Sequence, residues 1–268
     1  MHVHDTLAAV LGEAKRDTIG KGEMREKVWR WDWNTHAFLL VIQEGKYAAL
    51  RIMPSERADR SGRVEKLTES ELKKRMADCV ERRDNGDVII RNMPMIDQGP
   101  KGYCSPANWE RYLRYMEIPS DMYLLALAGK TGVGGGTYAN NMIEATEDLI
   151  SANGRELEPI PGTLDPESIA EYIDQGLPIM WRFISTPHFQ QSANENTARR
   201  NGKEQKNKKS GQAEDTGAGG HICLIIGYNK STGEIAISDS WGARFAERWV
   251  KAYEAQNVSY GYMNVIKW

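Results

Sequence analysis

The run His221-Ile-Cys-Leu-Ile-Ile-Gly-Tyr228 constrains this chain more than any other segment. Apolar residues fill consecutive positions, so a strand formed here has to be covered on both faces. The run therefore predicts a buried strand inside a sheet. Residues 229–233 read as a turn and 234–240 as a returning strand, which makes a buried antiparallel hairpin. Residues 258–268 are expected to add one more strand. The C-terminal part of the chain is thus β-rich.

The hairpin holds a histidine and a carboxylate. Of the five histidines, only His221 opens a strongly apolar strand, where its ring would be held rigidly; His2, His4, His36 and His188 lie elsewhere. Pairing His221 with Asp239 centres the turn on residue 230, inside the turn read independently. Residues opposed in an antiparallel pair lie about 4.5–5.5 Å apart at Cα, near enough for a carboxylate to fix an imidazole tautomer. A five-residue turn leaves the register free to slip by a residue.

A second segment carries a thiol. The stretch Gln98-Gly-Pro-Lys-Gly-Tyr-Cys104-Ser-Pro-Ala-Asn-Trp109 is rich in turn residues and feeds a helix. Ser105 is the expected N-cap and Pro106 the first helical residue. Trp109, Tyr112, Leu113 and Met116 then follow at helical spacing. Cys104 sits at the N-terminal end, where the partial positive charge of the helix favours a thiolate, the nucleophilic form. A nucleophile, a base and a group orienting the base make an acyl-transfer site. Such a site needs donors for the oxyanion, and the Cys104 N–H and the Gln98 side-chain amide are the candidates.

The remaining segments read as follows. Residues 1–20 predict a short helix. Strands are expected at 28–33, 37–43 and 47–53, the last two joined by Glu44-Gly45-Lys46. After a polar stretch at 55–65, residues 68–83 predict a helix opened by the capping-box pair Thr68 and Glu71, with Cys79 in the core. A strand over 87–91 follows. Helices are expected at 138–153 and 165–175 and a strand at 177–184. Residues 186–219 are polar and lysine-rich and read as a solvated loop, with a lid over the site as the alternative. The division is an α+β companion section at 1–90, structural or propeptide-like, and a chemistry-bearing domain at 91–268.

A net charge of −2 gives no reason to expect nucleic acid or an anionic membrane as partner. No apolar run reaches the ~20 residues of a membrane span, and the start does not read as a signal peptide. Three cysteines, Cys79, Cys104 and Cys223, argue against a disulfide framework. No metal or cofactor is expected. Gly129-Lys130-Thr131 and the glycines at 132–136 lack the spacing of a phosphate loop, and Cys223 is expected in the core.

Taken together, the Gln98–Cys104–Trp109 segment, Gly220-His221 at a strand start and Asp239-Ser240-Trp241-Gly242 resemble the motifs of papain-like cysteine peptidases. Within that group the likeness is to the bacterial double-glycine leader (bacteriocin-processing) peptidases, whose third triad position is aspartate. The resemblance covers about residues 93–268. It implies an α+β, papain-like fold, in which a Cys-bearing helix packs on an antiparallel sheet or barrel carrying His and Asp, with a small α+β section in front. It implies Gln98 as the oxyanion-hole side chain, Cys104 as nucleophile, His221 as base and acid, Asp239 as the orienting residue and Trp241 as a shield over the His–Asp hydrogen bond. The substrate would be a peptide or protein. Two departures stand out. Ser-Pro-Ala follows the cysteine where papain relatives have a small residue and then Trp, and 117 positions separate Cys104 from His221, short of ~130. An acyl transferase using the same triad, or an inactive papain-like binding module, are the alternatives.

Overall fold

The computed structural model describes residues 2–19, 25–43, 47–59, 67–132, 136–202 and 219–268. The chain forms two compact units, Met1–Lys66 and Leu67–Trp268.

The first unit contains α1 (His2–Leu11), β1 (Lys15–Ile19), β2 (Glu26–Trp33), β3 (His36–Gln43), β4 (Tyr47–Pro54) and α2 (Ser55–Asp59). Its strands form an antiparallel meander in chain order. One face supplies a core of Ile19, Val28, Ala37, Leu39 and Val41, closed by Ala58 of α2. Strand β1 is absent from the sequence reading: Lys-Arg-Asp-Thr-Ile has no apolar alternation and is ordered by pairing with β2. The expected link at 44–46 lies outside the described residues.

The second unit begins with α3 (Glu69–Asp78), where Thr68 and Glu71 form the expected capping box. The helix stops five residues earlier than the pattern suggests. Residues 80–82 instead form β5 (Val80–Arg82), paired with β6 (Val88–Ile90). Cys79, expected in the core, is the half-buried C-cap of α3. Because β6 also pairs with the central strand of the larger sheet, residues 67–90 are built into the unit that holds Cys104.

There follow α4 (Cys104–Tyr115), α5 (Met122–Ala128), α6 (Ala139–Ala152), β7 (Glu156–Ile160), α7 (Pro166–Ile173), β8 (Ile179–Ser185) and α8 (Pro187–Arg200). The chain closes with β9 (Gly219–Asn229), β10 (Glu234–Ser238), β11 (Arg248–Lys251), α9 (Ala252–Val258) and β12 (Ser259–Lys267). The strand order is β11-β10-β9-β8-β12-β7, antiparallel throughout. Helix α4 packs across β9. Ten of its twelve residues are buried, so it is an enclosed central helix rather than a surface one. This is the α+β, papain-like arrangement.

Two expectations are corrected here. Residues 186–219 are not one loop, since Pro187–Arg200 is helical, opened by the Thr186 side chain accepting from Phe189 N–H and by proline in the first turn. Its inward residues include Gln190 and Asn196, so a hydropathy pattern passes over it. Residues 203–218 lie outside the described residues, as do 133–135 of the glycine run. The N-cap of α4 is Tyr103 rather than Ser105, which places Cys104 itself in the first helical position. Helices α5 and α9 and strands β7 and β11 were also not expected, being short or lacking a clean period.

Candidate active site

The hairpin β9–β10 sets the site. Its register runs Glu234↔Asn229, Ile235↔Tyr228, Ala236↔Gly227, then shifts to Ile237↔Ile225 and Ser238↔Leu224. This is not the pairing expected from sequence, which set Asp239 directly against His221. Continued by one residue, the observed register sets Asp239 against Cys223, diagonal to His221. The β-bulge decides which face the carboxylate takes. Without it Asp239 would oppose Leu224 and point away from His221; one extra residue on β9 restores parity, because side chains alternate with period two. A diagonal neighbour is within reach of long side chains, and His221 Nε2 lies 2.8 Å from Asp239 Oδ1. Gly227 sits beside the bulge, where a Cβ would lie 2.5 Å from the Val88 carbonyl oxygen of β6.

Burial is near complete: His221 is 8% exposed and Asp239 0%. Trp241 stacks on the His221 ring at 4.5 Å between centroids, and Phe183 meets it edge-on at 5.3 Å. These rings restrict water around the His221–Asp239 hydrogen bond. Gly242, at φ +92°, makes the turn that follows Trp241. Asp239 N–H donates to the Phe245 carbonyl, fixing the backbone just past β10.

With Nε2 committed to Asp239, the other imidazole nitrogen is free for Cys104, and the two side chains share a hydrogen bond. Burial pushes the Cys104 thiol up. The hydrogen bond to His221, the imidazolium charge and the Ile222 and Ser105 backbone N–H groups outweigh it, and the thiol lies below its ordinary range. Burial likewise opposes the charged form of His221, but Asp239 and Cys104 raise it to about 9. Burial would lift Asp239 too, yet the Arg248 charge and the His221 hydrogen bond hold it down to about 2. All three shifts favour a thiolate–imidazolium pair.

Gln98 is brought to the same place. Its backbone N–H donates to the Ser240 carbonyl at 2.8 Å, and its Oε1 accepts from Ser240 Oγ, also at 2.8 Å. The direction of the Gln98 amide follows from what lies behind it. Buried Arg111 donates to Asn108 Oδ1, which turns Asn108 Nδ2 toward Ser240 Oγ at 3.0 Å. Ser240 Oγ, already accepting there, spends its single proton on Gln98 Oε1. The Gln98 NH₂ therefore points away from this network as a donor. Asn108 Nδ2 also lies 2.9 Å from the Cys104 carbonyl and 2.8 Å from the Ile222 carbonyl, three acceptors sharing its two protons, which ties α4 to β9.

The structure thus brings together Gln98, Cys104, His221, Asp239 and Trp241, all singled out in the sequence. Asn108, Arg111, Ser240 and Arg248 were missed. Asn108 and Arg111 do carry a signal: they stand four and seven residues after Cys104, polar positions on the Cys104 face of α4. Cys223 is fully buried, as expected. Among the described residues, no group of three or more His, Cys, Asp or Glu is placed to hold a metal ion, and no helix is long and apolar enough to cross a membrane.

A family model described as the Peptidase_C39 like family matches residues 90–265, the stretch that carries every one of these groups. This chain belongs to that family. It is a cysteine peptidase, and its substrates are peptides or proteins. No curated protein matches it. Among solved structures, it is similar to the peptidase domain of Streptococcus ComA, a bifunctional ABC transporter involved in quorum sensing. That match has 15% identity and a TM-score of 0.42, over 66% of this chain and 98% of that one. It is also similar to xylellain, a cysteine protease from Xylella fastidiosa, at 13% identity and a TM-score of 0.45, over 72% and 88% of the two chains.

Proposed function

We propose that this peptidase cleaves peptide bonds through a thioester acyl-enzyme formed on Cys104. The thiolate adds to the substrate carbonyl. His221 passes its proton to the leaving amine, and the neutral imidazole then takes a proton from the water that opens the thioester. Asp239 holds the ring in the required tautomer, and Trp241 keeps water off that hydrogen bond. The Cys104 N–H and the Gln98 side-chain NH₂ donate to the oxyanion of both tetrahedral intermediates.

One observation carries the reading: His221 is held through Nε2 by a buried carboxylate, leaving its other nitrogen to a thiol whose pKa lies below the ordinary range. A buried cysteine in a structural role would have its pKa raised, as Cys223 has. Residues 1–66, which include none of these groups, serve as a companion module. The reading is tested by incubating the protein and Cys104→Ala with a peptide library and sequencing the products. Cleavage at defined bonds by the wild type, absent from the variant, is expected. Cleavage that survives in Cys104→Ala, or products carrying an added amine in place of water, would overturn it.

A further inference from the structure

Asp239 is held from two sides. Its Oδ1 faces His221, while Oδ2 accepts from Nη2 of Arg248 on β11. Arg248 is 2% exposed. Its Nη1 donates to Gln190 Oε1 at 2.8 Å and to Asn194 Oδ1 at 3.3 Å, both on α8. The guanidinium lies 5.4 Å from the Trp241 ring and 5.3 Å from the Phe245 ring. An arginine so enclosed cannot swing to solvent, and its planar fork fixes the carboxylate it binds.

We infer that Arg248 is a positioning residue of the proposed hydrolytic site: it takes one oxygen of Asp239, aims the other at His221, and offsets the carboxylate's charge. The inference rests on the reading of Cys104, His221 and Asp239 given above. Its logic is electrostatic. An unopposed buried carboxylate beside His221 would hold the ring as imidazolium and slow the return of its proton. Sharing Asp239 with a second cation weakens that hold without loosening the hydrogen bond.

Among the described residues, the titratable and charged groups facing this cluster come from three elements. Helix α4 supplies Cys104 and Arg111, β9 supplies His221 and Cys223, and β11 supplies Arg248. The α8 side chains bonded to Arg248 are the uncharged Gln190 and Asn194. Glu247, next to Arg248 in sequence, is turned to Arg83.

Removing a nearby cation raises every neighbouring pKa, which separates an electrostatic role from a purely structural one. The test is the pH dependence of Cys104 alkylation by iodoacetamide, resolved by peptide mass spectrometry, in wild type, Arg248→Gln and Arg248→Lys. Wild type is expected to show two inflections, one for the thiol and one for the imidazolium. In Arg248→Gln both move up by about half a pH unit or more. Arg248→Lys, which restores charge but not the fork, brings them back toward wild type. Should Arg248→Gln fail to fold, Asp239→Asn alone and Asp239→Asn/Arg248→Met make the same comparison. The single variant leaves the cation unopposed and is expected to have the lower inflections. Unmoved inflections in Arg248→Gln, or coincident ones in the second pair, overturn the inference. A wild-type Cys104 with a single inflection near an ordinary thiol, about 8.5, would instead sink the hydrolytic reading, and this one with it.

Discussion

At the residue scale, the amide of Gln98 is oriented by fully buried neighbours. Each hydroxyl has one proton, so the order Arg111, Asn108, Ser240, Gln98 fixes which way the last amide faces. Gln98→Ala should lower kcat by roughly 10²-fold, the usual cost of one oxyanion donor, with little change in KM. Gln98→Glu, of the same shape, should be no better, because its carboxylate has no proton to donate there and repels the oxyanion. Steady-state kinetics on a cleaved peptide decides this, and a Glu variant as active as wild type would remove Gln98 from the mechanism. Ser240→Ala should lose less, since it frees the amide to turn without deleting it.

At the scale of elements, the bulge between β9 and β10 matters most, because it brings His221 and Asp239 to one face. Beside it, Gly227 lets β6 approach β9: a side chain there would run into the β6 backbone at Val88. Gly227→Val should therefore cost about 1–3 kcal/mol in chemical denaturation, and it should depress kcat more than that loss of stability explains. Unchanged stability would mean that β6 can yield.

The same hairpin shows what the sequence could and could not disclose. Strand, turn and returning strand were legible from apolar runs and turn residues, and so was the neighbourhood of His221 and Asp239. The register was not, because a bulge leaves no hydropathy signal and the turn admits several pairings. Helix α8 was missed for a related reason: two of its four buried residues are Gln190 and Asn196, which hydrogen-bond rather than repel water. Arg248 was invisible, since one arginine in a stretch of mixed polar and apolar residues gives no hint that it will be buried against a carboxylate. Capping chemistry was read correctly at Thr68 and missed at Thr186. In α4 the reading was displaced because the turn before Cys104 already enters the helix at the thiol.

At the scale of the whole molecule, the chain divides into two units, each with a core of its own. All the groups of the candidate site lie between residues 98 and 248, and the family match starts at residue 90, inside the second unit. A fragment of residues 67–268 should fold and keep a reactive Cys104, whereas one starting at residue 91 should not. The second lacks α3 and the β5–β6 hairpin, whose β6 pairs with β9 at Val88↔Tyr228 and Ile89↔Gly227. Circular dichroism melts of the two fragments separate these outcomes, and equal stability would contradict this role for residues 67–90.

The central claim is that Cys104 is held as a thiolate by His221, and site-resolved alkylation across pH tests it most directly. In the wild type Cys104 should react faster than Cys79 or Cys223 from neutral pH downward, slowing only as pH falls through its lowered pKa. A second step should come near 9, where the imidazolium loses its proton. In His221→Ala the advantage below pH 8 should vanish, leaving one inflection at or above the ordinary thiol value of about 8.5. If Cys104 instead labels no faster than Cys79 in the wild type, or keeps its low-pH reactivity without His221, the account is wrong.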